Sequence, residues 1–443
     1  MRLFDRYGKL RSALRNGRLH ATPKEILPFL RGRLSKSDLP ELVIEPADPS
    51  ELCAVLAFAA EKSMRVAVAS GLKPTDVRNL ENHLLILTTR LAESPIFSGA
   101  HRTTRVGAGL SMESLTVDLT RAGLRWLPLW PVPAGRSPGE LFAMGWEGLR
   151  NWRDGSTLGH IRGVEWVGYD GTVYHTGSAA ITENDPDISG FLFGSRGRMG
   201  VITALELDLY AIPEQQTTVL MELPGAPAAV NVMAELRAFE PLPETVVYLG
   251  ETATQILREG NDFRVSSQAT VVLAVEWREA VPEWPSRWAS YGQPITEPSA
   301  IESLWQDLFR FPRTAARLYP ARTEIRLKVP ALSLPELEEA ARELGREFNL
   351  PVALWGTTEA GYVQVWALQP DDQPRTVQHA EELLKKLYEV AVGLDGAGAP
   401  GCVLPFDSRI INTNGGHPPL DTIRRKILEK CDPQSLFSPL ISS

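Results

Sequence analysis

The chain has 443 residues, of which 43% are hydrophobic and 23% are charged, and its formal net charge is −8 at pH 7. This length exceeds what one hydrophobic core supports, so we expect two or three domains. The acidic balance argues against nucleic acid as the main ligand, and no apolar run has the length of a membrane span. The three cysteines and seven histidines lack metal-site spacing, which predicts that the chain has no metal site. The few scattered cysteines also predict a reducing compartment.

Residues 1–69 are predicted to form helices and a small sheet. Residues 1–40 have apolar positions on one helical face, and Thr22-Pro23-Lys24-Glu25 is typical of a capped helix start. A strand at 42–46, a helix capped by Asp48 and a strand at 66–69 then form a β-α-β unit. Such a unit implies a small parallel sheet with the crossover helix on one face.

The next elements lead towards a long loop. A helix is predicted from Met112 to Arg121, and Asp170-Gly171 is the expected turn of a hairpin. Between them, Pro128 to Gly163 is rich in Gly, Pro and Trp and has little periodicity. A loop of this length inside a compact domain is usually functional or disordered, and its tryptophans argue for order.

A glycine-rich segment is the most distinctive motif of the chain. The sequence Gly194-Ser195-Arg196-Gly197-Arg198-Met199-Gly200 stands directly before a strand-like run at 201–209. Glycines let backbone N–H groups approach a ligand, and a tight turn of such groups suits phosphate or ring oxygens. The segment does not fit the dinucleotide fingerprint, which follows a strand and opens a helix. The alternative interpretation is an ordinary tight turn into a strand.

Beyond Pro213 the pattern changes, because strands alternate with helices and with hairpin-like pairs. This predicts an antiparallel sheet covered by helices on one face, and the spacing suggests two ferredoxin-like halves. Residues 391–400 are predicted to be a Gly/Ala linker. The predicted divisions are an N-terminal helical segment at 1–40, a first domain at 41–213, a second at 214–400 and a C-terminal segment at 401–443.

Three fields and the tail resemble the FAD-linked oxidase family whose flavin domain is named after para-cresol methylhydroxylase. They are the β-α-β unit from Val43-Ile44-Glu45-Pro46 to Ser70-Gly71, the stretch Val106-Gly107-Ala108-Gly109-Leu110, the loop Gly194–Thr203 and the ending Cys431-Asp432-Pro433 to Phe437-Ser438-Pro439. The resemblance implies an α+β fold: a two-subdomain FAD-binding domain, an antiparallel ferredoxin-like cap and a C-terminal segment that returns to the FAD domain. Within the family, the glycolate oxidase accessory flavin subunit and the D-lactate dehydrogenase group are the most similar.

The resemblance implies a set of residues for the cofactor, FAD. The first phosphate loop, the second phosphate-side loop and the flavin-side loop would supply Ser70, Gly71, Lys73, Thr75, Ser137, Gly139, Gly194, Gly197, Gly200 and Ile202. Two departures stand out. The family's first loop carries three consecutive glycines, whereas this chain has Ser70-Gly71-Leu72-Lys73-Pro74, in which Lys73 could pair with phosphate charge. In the second loop Glu140 follows Gly139, and a carboxylate repels pyrophosphate unless it points away.

Candidates for catalysis are few. Family members that act on D-2-hydroxyacids hold a metal on cap histidines, but the matching stretch 355–365 has none. Arg326 and Lys328 are candidates for binding a substrate carboxylate, or else belong to a solvated strand face. His160 is a candidate base or a loop histidine bonded to backbone. His417 either lines the site from the C-terminal segment or is a turn residue. The catalytic residues stay unassigned, and no metal ligand is predicted.

The leading hypothesis is an FAD-binding subunit of a 2-hydroxyacid oxidoreductase of the glycolate or D-lactate type. It would work beside a catalytic flavin subunit and an iron–sulfur subunit, with hydride passing from substrate Cα–H to flavin N5. The alternative is a flavin-free scaffold subunit that kept the fold and lost the cofactor. A third hypothesis, a free-standing oxidase of another substrate, needs a base that the sequence does not reveal. Whether the chain is itself an enzyme is left open. The expected location is the cytoplasm, with membrane association only through partner subunits.

Overall fold

A computed structural model describes residues 6–31, 38–73, 75–76, 80–98, 102–127, 131–177, 187–260, 265–281, 283–358, 361–399 and 420–438. Up to residue 213 the helices are α1 (Gly8–Ala13), α2 (Pro23–Ile26), α3 (Pro49–Glu61), α4 (Met112–Arg121), α5 (Pro138–Ala143) and α6 (Ser189–Leu192). The strands of this part are β1 (Arg18–His20), β2 (Leu30–Arg31), β3 (Leu42–Glu45), β4 (Arg65–Ala69), β5 (Thr75–Asp76), β6 (His83–Leu87), β7 (Ile96–Ser98), β8 (Thr103–Gly107), β9 (Leu124–Arg125), β10 (Ile161–Val167), β11 (Val173–Gly177), β12 (Val201–Asp208) and β13 (Tyr210–Ala211).

The predicted β-α-β unit forms the middle of a four-stranded sheet of order β1-β3-β6-β4. β3 and β4 both pair parallel with β6, and α3 packs on one face. Residues on both faces of these strands are buried, which explains their continuous apolar runs. β4 runs directly into Ser70, so this sheet fixes the start of the predicted phosphate loop.

A second, antiparallel sheet of order β11-β10-β12-β8-β7 holds the glycine-rich segment. The predicted hairpin is confirmed: Val167 pairs with Val173, and Gly171 has φ +73 in the turn. The helix predicted from Met112 to Arg121 is also confirmed; the Ser111 side chain accepts a hydrogen bond from the Ser114 N–H and caps it. The segment Gly194–Gly200 enters the central strand β12.

The N-terminal segment is helical only in part, which corrects the prediction for residues 1–40. The capping box of Thr22 and Glu25 is present at α2. However, β1 pairs antiparallel with β3, from Arg18 opposite Glu45 to His20 opposite Val43. This pairing satisfies backbone groups along an edge that would otherwise lack partners. A local apolar period does not reveal that requirement, because the partner strand lies further along the chain.

The elements after residue 213 build a seven-stranded antiparallel sheet of order β14-β16-β15-β18-β19-β17-β20. Its strands are β14 (Thr217–Leu223), β15 (Thr245–Leu249), β16 (Val271–Trp277), β17 (Ala321–Lys328), β18 (Val352–Gly356), β19 (Val363–Gln369) and β20 (Ala397–Gly398). The helices are α7 (Ala226–Arg237), α8 (Glu251–Glu259), α9 (Pro298–Phe309), α10 (Phe311–Leu318), α11 (Leu334–Phe348), α12 (Pro374–Gly393) and, nearer the C-terminus, α13 (Leu420–Cys431). We call residues 214–399 the cap.

The second half of the cap has the element order β17-α11-β18-β19-α12-β20, which is that of a ferredoxin-like unit. The first half repeats it through β14, α7, β15 and β16, and its fourth strand is reduced to one bridge between Thr218 and Ile295. The predicted linker at 391–400 is wrong in part. α12 continues to Gly393, and β20 then pairs with the edge of β17.

Helices cover both faces of the cap sheet, which corrects the prediction of one covered face. α7, α11 and α12 pack on one face, whereas α8, α9 and α10 pack on the other. The sequence spacing showed that helices exist but not on which side each crossover lies. The mixed helix and sheet content is confirmed, while the domain limits and the two-subdomain arrangement stay predictions.

Candidate cofactor and substrate cavity

A cavity of about 590 Å³ lies between the N-terminal part of the chain and the cap. Its walls come from the end of β4, the loop 131–149, the glycine-rich segment and the face of β17–β19 that carries polar and aromatic side chains. Six residues predicted to contact FAD line it: Ser70, Lys73, Gly139, Gly197, Gly200 and Ile202. The fold therefore brings together residues that are far apart in the sequence.

The other predicted cofactor residues lie behind this lining or outside the description. Ser137 is fully buried, and its Oγ accepts a hydrogen bond from the Glu140 N–H, 3.2 Å away, to cap α5. Gly71 (φ +77) sits against Leu87 and Thr89, and the Gly194 N–H donates to the Phe142 carbonyl. These three residues shape the loops. The side chain of Thr75 lies outside the described residues.

The glycine-rich segment is a tight turn held against α5. Gly194, Arg196, Gly197 and Gly200 all have positive φ, and the Arg196 N–H donates to the Ala143 carbonyl at 2.8 Å. A Cβ on Gly200 would lie 2.4 Å from the Val167 carbonyl oxygen, so no other residue fits there. The turn and the ligand-loop interpretations of the sequence are therefore compatible: the turn exists, and it faces the cavity.

Basic side chains line the part of the cavity that the N-terminal region of the chain forms. Arg31, Lys73, Arg136 and Arg196 all line it. Lys73 Nζ donates to the Ala134 carbonyl oxygen at 2.5 Å, which links the first predicted phosphate loop to the second. Arg136 pairs with the Glu140 carboxylate. This concentration of positive charge suits an anionic group such as a pyrophosphate.

The cap closes the cavity with one face of three strands. Arg322 and Glu324 of β17 and Trp355, Gln364 and Trp366 of β18 and β19 line it. On β17 the exposed residues Arg322 and Glu324 alternate with the half-buried Ala321 and Thr323, which is the period-two pattern of a strand. The strand and its later basic residues are predicted from the sequence, whereas Arg322 is not among the predicted site residues. Arg322 pairs with Glu324 at 3.0 Å and lies over the Trp366 ring at 4.1 Å.

The structure places Arg326 and Lys328 outside the cavity lining. Arg326 is buried, and its guanidinium donates to the Met144 carbonyl (3.2 Å) and to the Tyr362 hydroxyl (3.5 Å). Lys328 Nζ lies 3.6 Å from Glu147. Both side chains therefore hold the cap against the loop 144–147. These contacts match neither of the two predicted roles, which were a solvated strand face and direct binding of a substrate carboxylate.

The two histidine candidates do not meet in the cavity. His160 is buried; its Nδ1 is 2.8 Å from the Tyr210 hydroxyl and its Nε2 is 3.0 Å from the Asp154 carbonyl. Burial lowers the pKa of this imidazole. The backbone-bonded alternative matches these contacts. His417 lies outside the described residues. Within the described part of the chain, no cluster of His, Cys, Asp or Glu could hold a metal ion.

A buried charge network joins the N-terminal part to the cap beside the cavity. Glu244, which is fully buried, lies 2.6 Å from Arg125 Nη2 and 3.2 Å from Arg150 Nε. Arg150 also contacts Glu276 at 3.0 Å, and burial raises the pKa of Glu276. Arg278 completes the network through Asp154 at 3.0 Å. These ion pairs hold the cap against the N-terminal part of the chain.

The cavity suits FAD on the side of the glycine-rich segment. Gly197 and Ile202 present a backbone surface there, and the basic side chains can balance a pyrophosphate. One feature opposes it: Glu140 also lines the cavity, and within the described residues its buried Oε2 has no hydrogen-bond partner. Its pairing with Arg136 offsets this negative charge. On balance the residues present fit the group.

Comparison with known proteins agrees with this geometry. No family model matches the chain. It is 23% identical to the D-lactate dehydrogenase of Archaeoglobus fulgidus over 371 residues, which cover 80% of this chain and 81% of the relative. It is 21% identical to the D-2-hydroxyglutarate dehydrogenase of Xanthomonas citri (90% and 88% covered) and 20% identical to the glycolate oxidase subunit GlcD of Bacillus subtilis (81% and 79%).

Solved structures share the fold over nearly the whole length. The crystal structure of p-cresol methylhydroxylase with substrate bound has a TM-score of 0.72, with 12% identity and coverage of 97% of this chain and 94% of that one. The chain is a relative of the FAD-linked oxidases of the para-cresol methylhydroxylase type. An alkyldihydroxyacetonephosphate synthase of the same fold has a TM-score of 0.67, 14% identity and coverage of 95% and 83%. None of the helices described in this FAD-linked oxidase relative is long and apolar enough to cross a membrane.

Proposed function

We propose that this FAD-linked oxidase relative binds FAD in the cavity and serves in the oxidation of a 2-hydroxyacid. The observation that carries the proposal is the composition of the cavity: residues of the glycine-rich segment, residues of two other loops and the cap face line one space. The names of three relatives, which refer to D-lactate, D-2-hydroxyglutarate and glycolate, supply the substrate class.

The residues divide into two groups by position. Ser70, Lys73 and Gly139 would hold the pyrophosphate, while Gly197, Gly200 and Ile202 would contact the ring system through backbone atoms. Gly71, Ser137 and Gly194 keep these loops in place, and Thr75 stays assigned to the first loop. When bound, FAD supplies the hydride acceptor that a 2-hydroxyacid needs to become a 2-oxoacid.

We also propose that the chain works as one subunit of a larger assembly. The name of the Bacillus relative, glycolate oxidase subunit, supports this. The cavity supports it as well, since both nitrogens of His160 are engaged away from the lining and the described cap has no histidine beside the cavity. A catalytic flavin subunit and an iron–sulfur subunit are the proposed partners.

The absorption spectrum of the purified chain tests the cofactor directly. We expect flavin bands, and release of FAD on denaturation. Lys73→Met is expected to weaken FAD binding about tenfold, because it removes a charged donor beside the predicted pyrophosphate site. The control is Lys62→Met, which removes an exposed lysine paired with Glu61. Calorimetric titration with FAD measures both, and equal affinities for the two variants would count against the assignment of Lys73.

The second candidate is a scaffold subunit without flavin. Two observations favour it. The Glu140 side chain lines the cavity, where its carboxylate would repel a pyrophosphate. The Lys73 side chain is already packed against Gly135, in the space that a Cβ at residue 135 would fill. This candidate predicts a chain whose melting temperature does not change when FAD is added. A rise in melting temperature with FAD concentration would remove it, since only ligand binding to the folded state produces such a rise.

A further inference from the structure

The roof of the cavity has an aromatic surface beside its polar residues. Register places Trp355 beside Gln364, and Trp366 beside Glu324, on the same face of β17–β19. The two indole rings meet edge to face with centroids 5.3 Å apart. Phe311 packs behind both, stacked on Trp366 at 5.1 Å. Such a cluster is rigid, so it presents a surface of fixed shape to whatever enters the cavity.

Both indoles have an unused donor. The Nε1 atoms of Trp355 and Trp366 are buried and have no hydrogen-bond partner among the described residues. Other indoles of the cap are satisfied: Trp284 donates to the Gly292 carbonyl and Trp277 to the Pro241 carbonyl. A buried N–H without an acceptor is destabilising. Because neither Nε1 atom has accessible surface, a ligand in the cavity meets the indole rings and not these donors.

An apolar corner adjoins this surface. Phe309 and Pro312, at the junction of α9 and α10, line the cavity next to the indoles. Phe309 is half-buried and stacks on Trp305 with centroids 5.8 Å apart. Glycolate has no carbon beyond the one that carries its hydroxyl, so it offers nothing to bury against this corner. The corner therefore matches a longer ligand.

We propose that the roof selects a 2-hydroxyacid with an apolar side chain, an aliphatic or aromatic one, over glycolate. Its side chain packs on Trp355, Phe309 and Pro312. This inference rests on the proposed function and names the substrate class of the same cavity.

The test is binding of four acids to the purified chain in the presence of excess FAD, measured by isothermal titration calorimetry. The probes are 3-phenyllactate, 2-hydroxyisocaproate, lactate and glycolate, each as the D-enantiomer where one exists. We expect 3-phenyllactate and 2-hydroxyisocaproate to bind at least about tenfold more tightly than glycolate, as added methylenes do in an apolar pocket. Glycolate binding as tightly as 3-phenyllactate would overturn the inference and leave the proposed function standing.

Variants at two positions test the apolar surface. Trp355→Ala removes the ring on which the ligand side chain packs, so 3-phenyllactate should bind about tenfold more weakly. Phe309→Ala opens the corner and should weaken 3-phenyllactate while leaving glycolate unchanged. Trp284→Ala, a change in a tryptophan outside the cavity, should alter neither. Unchanged 3-phenyllactate binding in both cavity variants would refute the roof as the selecting surface. Binding of FAD but of none of the acids would refute the substrate part of the proposed function and this inference together.

Discussion

Replacement of Glu244 by alanine is expected to lower the free energy of unfolding by about 3–5 kcal/mol, the loss typical of breaking a buried ion pair. Glu244 is fully buried, and Arg125 and Arg150 are each almost fully withdrawn from water around it. Removing the carboxylate leaves the buried guanidinium groups of Arg125 and Arg150 close together, with Arg150 still paired to Glu276. Repulsion and the loss of desolvated hydrogen bonds therefore act in the same direction.

The matched control is an exposed ion pair between the same two parts of the chain. Arg153 contacts Glu279 at 2.7 Å, with side chains 32% and 45% exposed. Glu279→Ala should therefore cost about 1 kcal/mol or less. Differential scanning calorimetry of both variants gives the comparison. Similar melting temperatures for Glu244→Ala and Glu279→Ala would contradict a structural role for the buried network.

The second large effect concerns pH and lies inside the cap. Glu338 of α11 is buried and accepts a hydrogen bond from the Tyr248 hydroxyl at 2.9 Å. Burial raises its pKa from 4.5 to about 7, with Glu251 adding repulsion and Arg342 opposing it. The folded chain thus keeps a proton on Glu338 between pH 4.5 and pH 7, whereas the unfolded chain has released it.

The sign of the pH dependence follows from this difference. Where the folded state binds more protons than the unfolded state, the free energy of unfolding falls as pH rises. Glu338 should therefore destabilise the cap by about 3 kcal/mol as pH increases from 4.5 to 7, and by a constant amount above that range. The hydrogen bond from Tyr248 tempers the effect, because it favours the charged carboxylate.

Glu338→Gln tests the prediction, because glutamine keeps the acceptor and cannot ionise. The variant should melt at a higher temperature than the parent chain at pH 8, and the difference should shrink towards pH 5. Glu336→Gln, which changes an exposed carboxylate on the same helix, is the control and should show no such trend. A parallel pH profile for parent and Glu338→Gln would exclude Glu338 as the source.

Local chemistry in the sequence predicted much of the fold. Ser111 and Gly123 bracket α4, and Asp170-Gly171 makes the hairpin turn, because caps and turns depend on a few adjacent residues. The pairing of β1 with β3 and the helices on the second face of the cap were missed. Those features depend on edges and faces that form only when distant segments meet.

The residues of the cavity also divide into those that a local sequence signal predicts and those that depend on distant segments. Loop residues such as Gly197 and Gly200 could be chosen because glycine spacing is a local signal. Ser137 was assigned from the family resemblance, and its hydroxyl caps α5. Arg322 and Trp355 carried no motif, and only the packing of β17 and β18 against the N-terminal part places them in one wall. For Arg326, strand alternation gives the face on which its side chain lies but not the Met144 carbonyl that it contacts.

The C-terminal segment closes the edge of the four-stranded sheet. The Val66 N–H donates to the Leu436 carbonyl, and the Ser438 N–H donates to the Val66 carbonyl, both at 2.8 Å. Val66 belongs to β4, the strand that leads into Ser70. During synthesis on the ribosome, this edge stays open until the distant segment around Leu436 has emerged, and an open strand edge invites pairing with other chains. The strand that starts the cavity wall therefore stays exposed to aggregation long after its own synthesis.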